Sequence, residues 1–87
     1  MELVETVQLM LSNDYKDRFK GEYLQTKIRH NKLKTMCDKW DNDELDFKPT
    51  CPREIYNEQL SYMFSYLCVL EERAQLEGVD LNDVSKM

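Results

Sequence analysis

Residues 53–76 read REIYNEQLSYMFSYLCVLEERAQL, and their apolar side chains fall on two faces of a single helix. One face has the three-and-four spacing of a packed helix: Tyr56, Leu60, Met63, Phe64, Leu67, Leu70 and Ala74. A second seam with the same spacing lies beside it: Ile55, Gln59, Tyr62, Tyr66, Val69 and Arg73. A two-helix hairpin closes with one face of each helix, so the second seam predicts contact with another chain or with a ligand.

Residues 14–40 also carry a main apolar stripe and a smaller face opposite to it. The stripe is expected to pack on the last helix and consists of Phe19, Tyr23, Thr26, His30, Leu33, Cys37 and Trp40. Leu24 and Ile28 lie on roughly the opposite side of the same helix. We expect these two to be covered by a neighbouring chain or by apolar residues of the N-terminal segment, namely Val4, Val7 and Met10.

These patterns predict an all-α fold, in which a short N-terminal helix precedes a long antiparallel helical hairpin. Ser12, Asn13 and Asp14 offer N-cap side chains to the first long helix, and Gly78 is a natural stop for the last. We expect a single domain over residues 1–87, with helices at about 2–11, 14–40 and 52–77 and a connector at about 41–51. A chain this short buries little surface alone, so we also expect a homo-oligomer.

Apolar residues outside the helices are expected to cover the ends of the hairpin. Leu45 and Phe47 in the connector should pack over its open end, and Val79 and Leu81 should fold back onto the last helix. Gly21 lies inside the first long helix, where it costs about 1 kcal/mol relative to alanine. It therefore predicts a kink or a close approach by another backbone.

The composition limits which classes of protein and which binding partners are expected for this chain. Cys37, Cys51 and Cys68 are odd in number and lack C-x-x-C spacing, which argues against a disulfide framework and favours a reducing cytoplasm. No apolar run approaches the length of a membrane span, so no membrane partner is expected. The net charge of -5 disfavours nucleic-acid polymers, whose binding depends on many cationic contacts.

Positive charge is nevertheless concentrated in the first long segment. The residues that carry it are Lys16, Arg18, Lys20, Lys27, Arg29, Lys32, Lys34 and Lys39. Such a concentration offers a local site to a small anion, although not to a long polyanion. The alternative interpretation is a solvated basic face of a helix.

The residues give little support to catalysis. His30 is the only histidine and lies on the main stripe, which favours packing over metal binding or chemistry. Cys37 and Cys68 have apolar surroundings and are interpreted as small packing residues. Glu71 and Glu72 are interpreted as solvated surface charges. We therefore expect no catalytic residue, no metal site and no cofactor.

Aromatic and cationic residues on the second seam are more suggestive of binding. Tyr62 and Tyr66 lie one turn apart, and Arg73 lies two turns beyond. A tyrosine ring can stack on a nucleobase, and a guanidinium can hold a phosphate. The alternative is that all three are ordinary protein-interface residues, since tyrosine and arginine are enriched there.

Two groups of residues carry a resemblance to a known family. The first is NDYKDRFKGEY at 13–23, and the second comprises Glu58-Gln59-Leu60, Met63, Tyr66-Leu67 and LEERA at 70–74. Over about residues 13–81 the chain resembles the small helical-hairpin proteins of phages and prophages that are often described as crAssphage-related. That group includes sponges that antagonise the CBASS and Thoeris defence systems.

The resemblance implies a helical homo-oligomer, commonly a hexamer, with pockets between protomers. Such pockets capture cyclic nucleotide signals, either cyclic oligonucleotides or cyclic ADP-ribose isomers, and do not cleave them. They draw a tyrosine from early in a long helix, a lysine from near its far end and an arginine from the last helix. The matching positions here are Tyr23, Lys39 and Arg73, whereas Trp40-Asp41 stands where a threonine is expected near the lysine.

Two classes of function follow from these observations. The first is a cyclic nucleotide sponge, with the candidate ligand-binding residues Tyr23, Lys39, Tyr62, Tyr66 and Arg73. The second is a non-enzymatic helical interaction or structural protein of a phage or prophage that binds only protein. The resemblance favours the sponge, and the acidic net charge favours the interaction protein.

Overall fold

The computed structural model describes residues 1–82, and over this range it is all-helical with no strand. A 3₁₀ turn at Leu3–Thr6 leads into α1 (Val7–Met10), followed by α2 (Tyr15–Asp41) and α3 (Arg53–Glu77). The last two form the predicted antiparallel hairpin, and α1 packs on α2. Residues 83–87 of the expected domain lie outside the described residues.

The start of α2 follows from its capping side chains. The Asp14 carboxylate accepts a hydrogen bond from the backbone N–H of Lys16 at 3.0 Å, which satisfies one of the free donors of the first turn. The Ser12 hydroxyl accepts from the N–H of Asp14 and donates to the carboxylate of Asp17. The predicted N-cap is confirmed, and α2 begins and ends one residue later than the pattern predicts.

The hairpin core consists of the stripes that the sequence predicts, with one exception. Phe19, Tyr23, Thr26 and Cys37 of α2 are buried, as are Leu67, Leu70 and Ala74 of α3. At the open end, the Trp40 and Tyr56 rings meet edge to face with centroids 5.8 Å apart. The placement of Phe64 in this core is wrong, because its side chain is 60% exposed. It follows Met63 by one residue, which turns it about 100° away around the helix.

The N-terminal segment differs from the continuous helix that the pattern predicts. Its first turn is a 3₁₀ helix, in which residues three apart lie above one another. Leu3, Thr6 and Leu9 therefore face inward, and Thr6 is fully buried with its hydroxyl bonded to the carbonyl of Leu3. Of the predicted covering residues, Val4 is 74% exposed, whereas Val7 and Met10 are partly covered, at 39% and 40% exposed. Leu24 and Ile28 are half-buried.

Gly21 marks the place where α1 and α2 meet most closely. A Cβ at this position would lie 2.9 Å from Cγ of Met10 and 3.1 Å from Cβ of Leu9. It would also lie 3.1 Å from the backbone nitrogen of Met10. The predicted close approach of another backbone is confirmed, and α2 runs through Gly21 without a break.

The two ends of the hairpin are covered unequally. Val79 is buried against α3 and donates its N–H to the carbonyl of Ala74 at 2.8 Å, and Leu81 packs on the same cluster. Gly78 makes this turn possible with a φ of 71°. In the connector Leu45 is half-buried, but Phe47 is 54% exposed, so its predicted role as a cover is wrong.

Candidate functional site

The second seam is an exposed surface of the hairpin. Ile55, Tyr62, Tyr66 and Val69 are all exposed, while the neighbouring face of α3 is closed against α2. The hairpin therefore leaves these residues uncovered, as the spacing predicts. Their contact with a second chain or a ligand stays a prediction.

Arg73 ends the seam in a cluster that joins the first turns of α2 to the last turns of α3. Its Nε donates to Glu77 at 3.1 Å, and its Nη2 donates to the hydroxyl of Tyr15 at 2.9 Å. The Tyr15 hydroxyl donates in turn to the second carboxylate oxygen of Glu77 at 2.7 Å. The guanidinium also lies over the Phe19 ring, 4.9 Å from its centroid.

These contacts fix the charges of the Arg73 cluster. The hydrogen bond to Glu77 raises the pKa of Tyr15, so this hydroxyl remains a donor. The bonds from Tyr15 and Arg73 hold the pKa of Glu77 below its ordinary value, so its carboxylate stays charged. The Arg73 contacts engage two of the five guanidinium N–H groups, and its side chain is 43% exposed. Arg73 is therefore oriented while keeping donors for an anion.

Tyr23 lies inside the hairpin rather than on a binding surface. Only 6% of the residue is exposed, and the Lys27 ammonium lies over its ring at 5.5 Å. Its hydroxyl donates to Glu71 at 2.5 Å, and Glu71 itself is exposed, as expected of a surface charge. Burial, followed by this hydrogen bond, raises the pKa of Tyr23 to about 12. A base has no access to its ring faces in this arrangement.

Lys39 is exposed and lines a shallow cavity of about 320 Å³ between α2 and the connector. The other lining residues are Lys32, Thr35, Met36, Glu44, Leu45, Asp46 and Phe47. Thr35 lies one turn before Lys39, and its hydroxyl bonds the carbonyl of Asn31. A threonine near Lys39 is therefore present, although it precedes the lysine instead of following it.

The structure groups some of the candidate residues and separates others. Tyr62, Tyr66 and Arg73 share the second seam. Lys39 lies 20 residues after Phe19, the residue on which Arg73 packs, which places the two cations about 30 Å apart along α2. One small ligand cannot touch both in a single copy of the chain.

Sequence reasoning missed two members of the Arg73 cluster. The pairing of Arg73 with Glu77 is an i,i+4 contact that the sequence already offers. The contribution of Tyr15 depends on the hairpin bringing residues 58 positions apart together, and no local pattern indicates it.

Two features are absent from residues 1–82: a membrane-spanning helix and a metal-ligand cluster. None of the helices in this range is long and apolar enough to cross a membrane. The same residues include no group of three or more histidine, cysteine, aspartate or glutamate side chains placed to hold a metal ion.

The fold and its exposed aromatic and cationic seam define a small helical protein with a surface suited to binding. Comparison with protein families matches residues 13–76 to the family described as Sequestin. Because this match covers well over half of the chain, the protein belongs to the Sequestin family. That name is consistent with the sequestering of a signal molecule. No curated protein and no solved structure matches the chain.

Proposed function

We propose that this protein is a phage-type anti-defence sponge that binds cyclic nucleotide immune signals in the host cytoplasm without cleaving them. The signal is a cyclic oligonucleotide or a cyclic ADP-ribose isomer, held between copies of a homo-oligomer, with a hexamer favoured. The match to the Sequestin family carries the proposal, because residues 13–76 contain all five candidate ligand-binding residues.

The second seam supplies the chemistry that such a ligand needs. Exposed Tyr62 and Tyr66 offer rings for a base, and the half-exposed Arg73 offers N–H donors for a phosphate. Tyr23 is buried, so it contributes only by holding the hairpin together through its hydrogen bond to Glu71. An anion of this size needs one or two placed cations, so the acidic net charge is no obstacle.

Lys39 enters this proposal from a different copy of the chain. Its separation from Arg73 along α2 excludes a shared ligand within one hairpin. Pockets formed between copies, as the family resemblance implies, remove that restriction. Thr35 beside Lys39 then supplies a hydroxyl at the edge of the same cavity.

A thermal-shift screen against cyclic di- and trinucleotides and cyclic ADP-ribose isomers tests the proposal. Ligand at a hundredfold excess over Kd stabilises the native state by about 2.7 kcal/mol. For a domain of this size, that corresponds to a rise in Tm of about 15 °C. Absence of a shift across the whole set would leave the interaction-protein alternative standing.

Matched variants locate the binding surface. Tyr66→Ala should weaken capture by about 1–3 kcal/mol if its ring stacks on a base. Phe64→Ala is the control, because Phe64 is also an exposed aromatic residue but lies on another face of α3. Equal losses in the two variants would contradict a site on the second seam.

The alternative is a helical interaction protein that binds only protein. The exposed apolar residues of α3 favour it, because such surfaces mark protein contacts. If no nucleotide produces a thermal shift and a folded protein partner binds through α3, the second function would be supported.

A further inference from the structure

The exposed surface of α3 carries an apolar series that repeats every seven residues. Ile55, Tyr62, Val69 and Leu76 are 48, 70, 52 and 82% exposed, and we call these four residues the heptad strip. A seven-residue apolar repeat is typical of a helix that packs along another helix as a coiled coil. The strip is about 32 Å long and extends over most of α3.

The heptad strip differs from scattered surface apolar residues. Phe64 is also exposed, but the positions seven residues before and after it carry the polar residues Asn57 and Glu71, so no apolar heptad series passes through it. A single exposed apolar side chain needs no partner, whereas a contiguous series marks an interaction surface. The inward face of α3 is already used by α2, so the strip requires an occupant from outside the hairpin.

We propose that the heptad strip packs against the same strip of a second copy, with the two α3 helices antiparallel. The strip is apolar from end to end, so antiparallel packing of two α3 helices brings Ile55 of one copy toward Leu76 of the other. Tyr62 and Val69 then pack near the two-fold axis. One self-complementary patch used twice is the interface that a two-fold dimer requires.

Charge favours the antiparallel arrangement over the parallel one. Glu58 and Glu72 border the strip on one side, and a parallel pair would place each of them beside its own counterpart. In the antiparallel pair, the end that carries Glu58 lies near the end that carries Arg73 of the second copy. The helix dipoles also run in opposite directions, which is the favourable orientation for neighbouring helices.

The pairing gives two tyrosines of the seam different roles. The proposed pairing rests on the homo-oligomer that the proposed function requires, and it specifies how two copies of the chain meet. Tyr66 and Arg73 lie on the edge of the strip that faces α2, where Arg73 contacts Tyr15 and Phe19. They therefore border the contact between copies, where a shared ligand would lie. Tyr62 packs within the contact, so in this geometry Tyr66 and not Tyr62 supplies the ring for a base.

Cross-linking between two co-expressed variants tests the pairing. Cys51→Ser and Cys68→Ser remove the exposed thiols, and Cys37 is buried and stays. One copy then carries Ile55→Cys and the other, on a tag of different size, carries Leu76→Cys. A short bismaleimide should join the two different copies and give little product when either variant is present alone. Phe64→Cys, on another face of α3, should give none.

Two results would overturn the inference in different ways. Self-linking of Ile55→Cys, or no link in the mixture of an intact oligomer, would contradict the antiparallel pair and leave capture between copies unaffected. A monomer at micromolar concentration, measured by light scattering on the unmodified chain, would remove both the pairing and the assembly in the proposed function. Circular dichroism checks that each variant keeps its helices.

Discussion

Tyr15, Phe19 and Glu77 hold the Arg73 guanidinium in one orientation, with one ring face and two hydrogen bonds. Because the Arg73 side chain is already oriented, it would lose less conformational entropy when a ligand binds. The same contacts place a carboxylate next to the cation, so an anion has to compete with Glu77 for it. In the proposed site, that competition would favour a strongly charged ligand such as a phosphate.

A prediction at the residue scale concerns Tyr23 at alkaline pH. Its pKa is raised from 10.0 to about 12 in the folded chain, so the unfolded chain loses the proton first as pH rises. The contribution of Tyr23 to stability is therefore complete below about pH 10 and is lost as pH rises toward about 12. Tyr23→Phe lacks this step and also loses the hydrogen bond to Glu71, at a cost of about 1 kcal/mol.

Urea unfolding at a series of alkaline pH values measures this difference. The free energy of unfolding of the wild-type chain should exceed that of Tyr23→Phe at pH 9, and the difference should shrink as pH rises. A difference that stays constant across this range would contradict the assigned role of the Tyr23 hydroxyl.

The residues that the sequence placed correctly are those whose role depends on helical spacing. Burial of Phe19, Leu67 and Leu70 follows from periodicity alone. Spacing also predicts the burial of Tyr23, but the hydrogen bond from its hydroxyl to Glu71 joins residues 48 positions apart, so spacing does not reveal that bond. A resemblance can assign a residue to a pocket without indicating which surface its ring faces.

The helices α2 and α3 could be predicted because each has capping residues and a long series of apolar residues at helical spacing. Asp14 is the N-cap at the start of α2, and Gly78 ends α3 in the left-handed conformation. Both residue types are common at these positions, so the sequence indicates the helix boundaries. The N-terminal segment is too short for a period of 3.6 to be distinguished from one of 3.0. In the 3₁₀ turn Thr6 faces inward and Val4 outward, which is why the prediction of Val4 as a covering residue was wrong.

Gly21 provides a prediction at the element scale. A larger side chain at this position meets the backbone of Met10, so Gly21→Val should displace α1 from α2. The expected loss of stability is about 1–3 kcal/mol, as for other overpacked contacts. Hydrogen exchange should show lost protection over residues 7–10 with α3 little changed.

Gly78→Ala is the matched control for that experiment. A Cβ there meets no atom within 4 Å, but φ is 71°, so the cost is backbone strain of about 1–2 kcal/mol. It should leave the protection of α1 intact. Unchanged protection in Gly21→Val would show that α1 does not depend on the contact.

For the whole molecule, the hairpin is complete as a fold but leaves one of its apolar surfaces uncovered. The sequence predicted this from its two stripes per helix. The predicted antiparallel hairpin also implies that Lys39 and Arg73 lie toward opposite ends, and the unbroken α2 and α3 of the structure agree with this. The proposed contact between copies would use both the heptad strip and the separated cations.

Val69→Glu tests assembly at the scale of the whole molecule. A carboxylate placed in the contact between copies would be buried without a partner, so the variant should dissociate to monomers at micromolar concentration. Phe64→Glu, on another face of α3, should leave the assembly unchanged. Light scattering distinguishes the two, and dissociation by both variants would contradict an interface confined to the heptad strip.

Capture of an intact ligand is the central claim, and titration calorimetry followed by heat denaturation measures it most directly. The protein is titrated with each cyclic oligonucleotide and cyclic ADP-ribose isomer, the complex is heated, and the released compound is analysed by chromatography. We predict binding much tighter than millimolar for at least one compound, and its recovery unchanged. Binding no tighter than millimolar throughout, or recovery of a linearised product, would contradict the sponge.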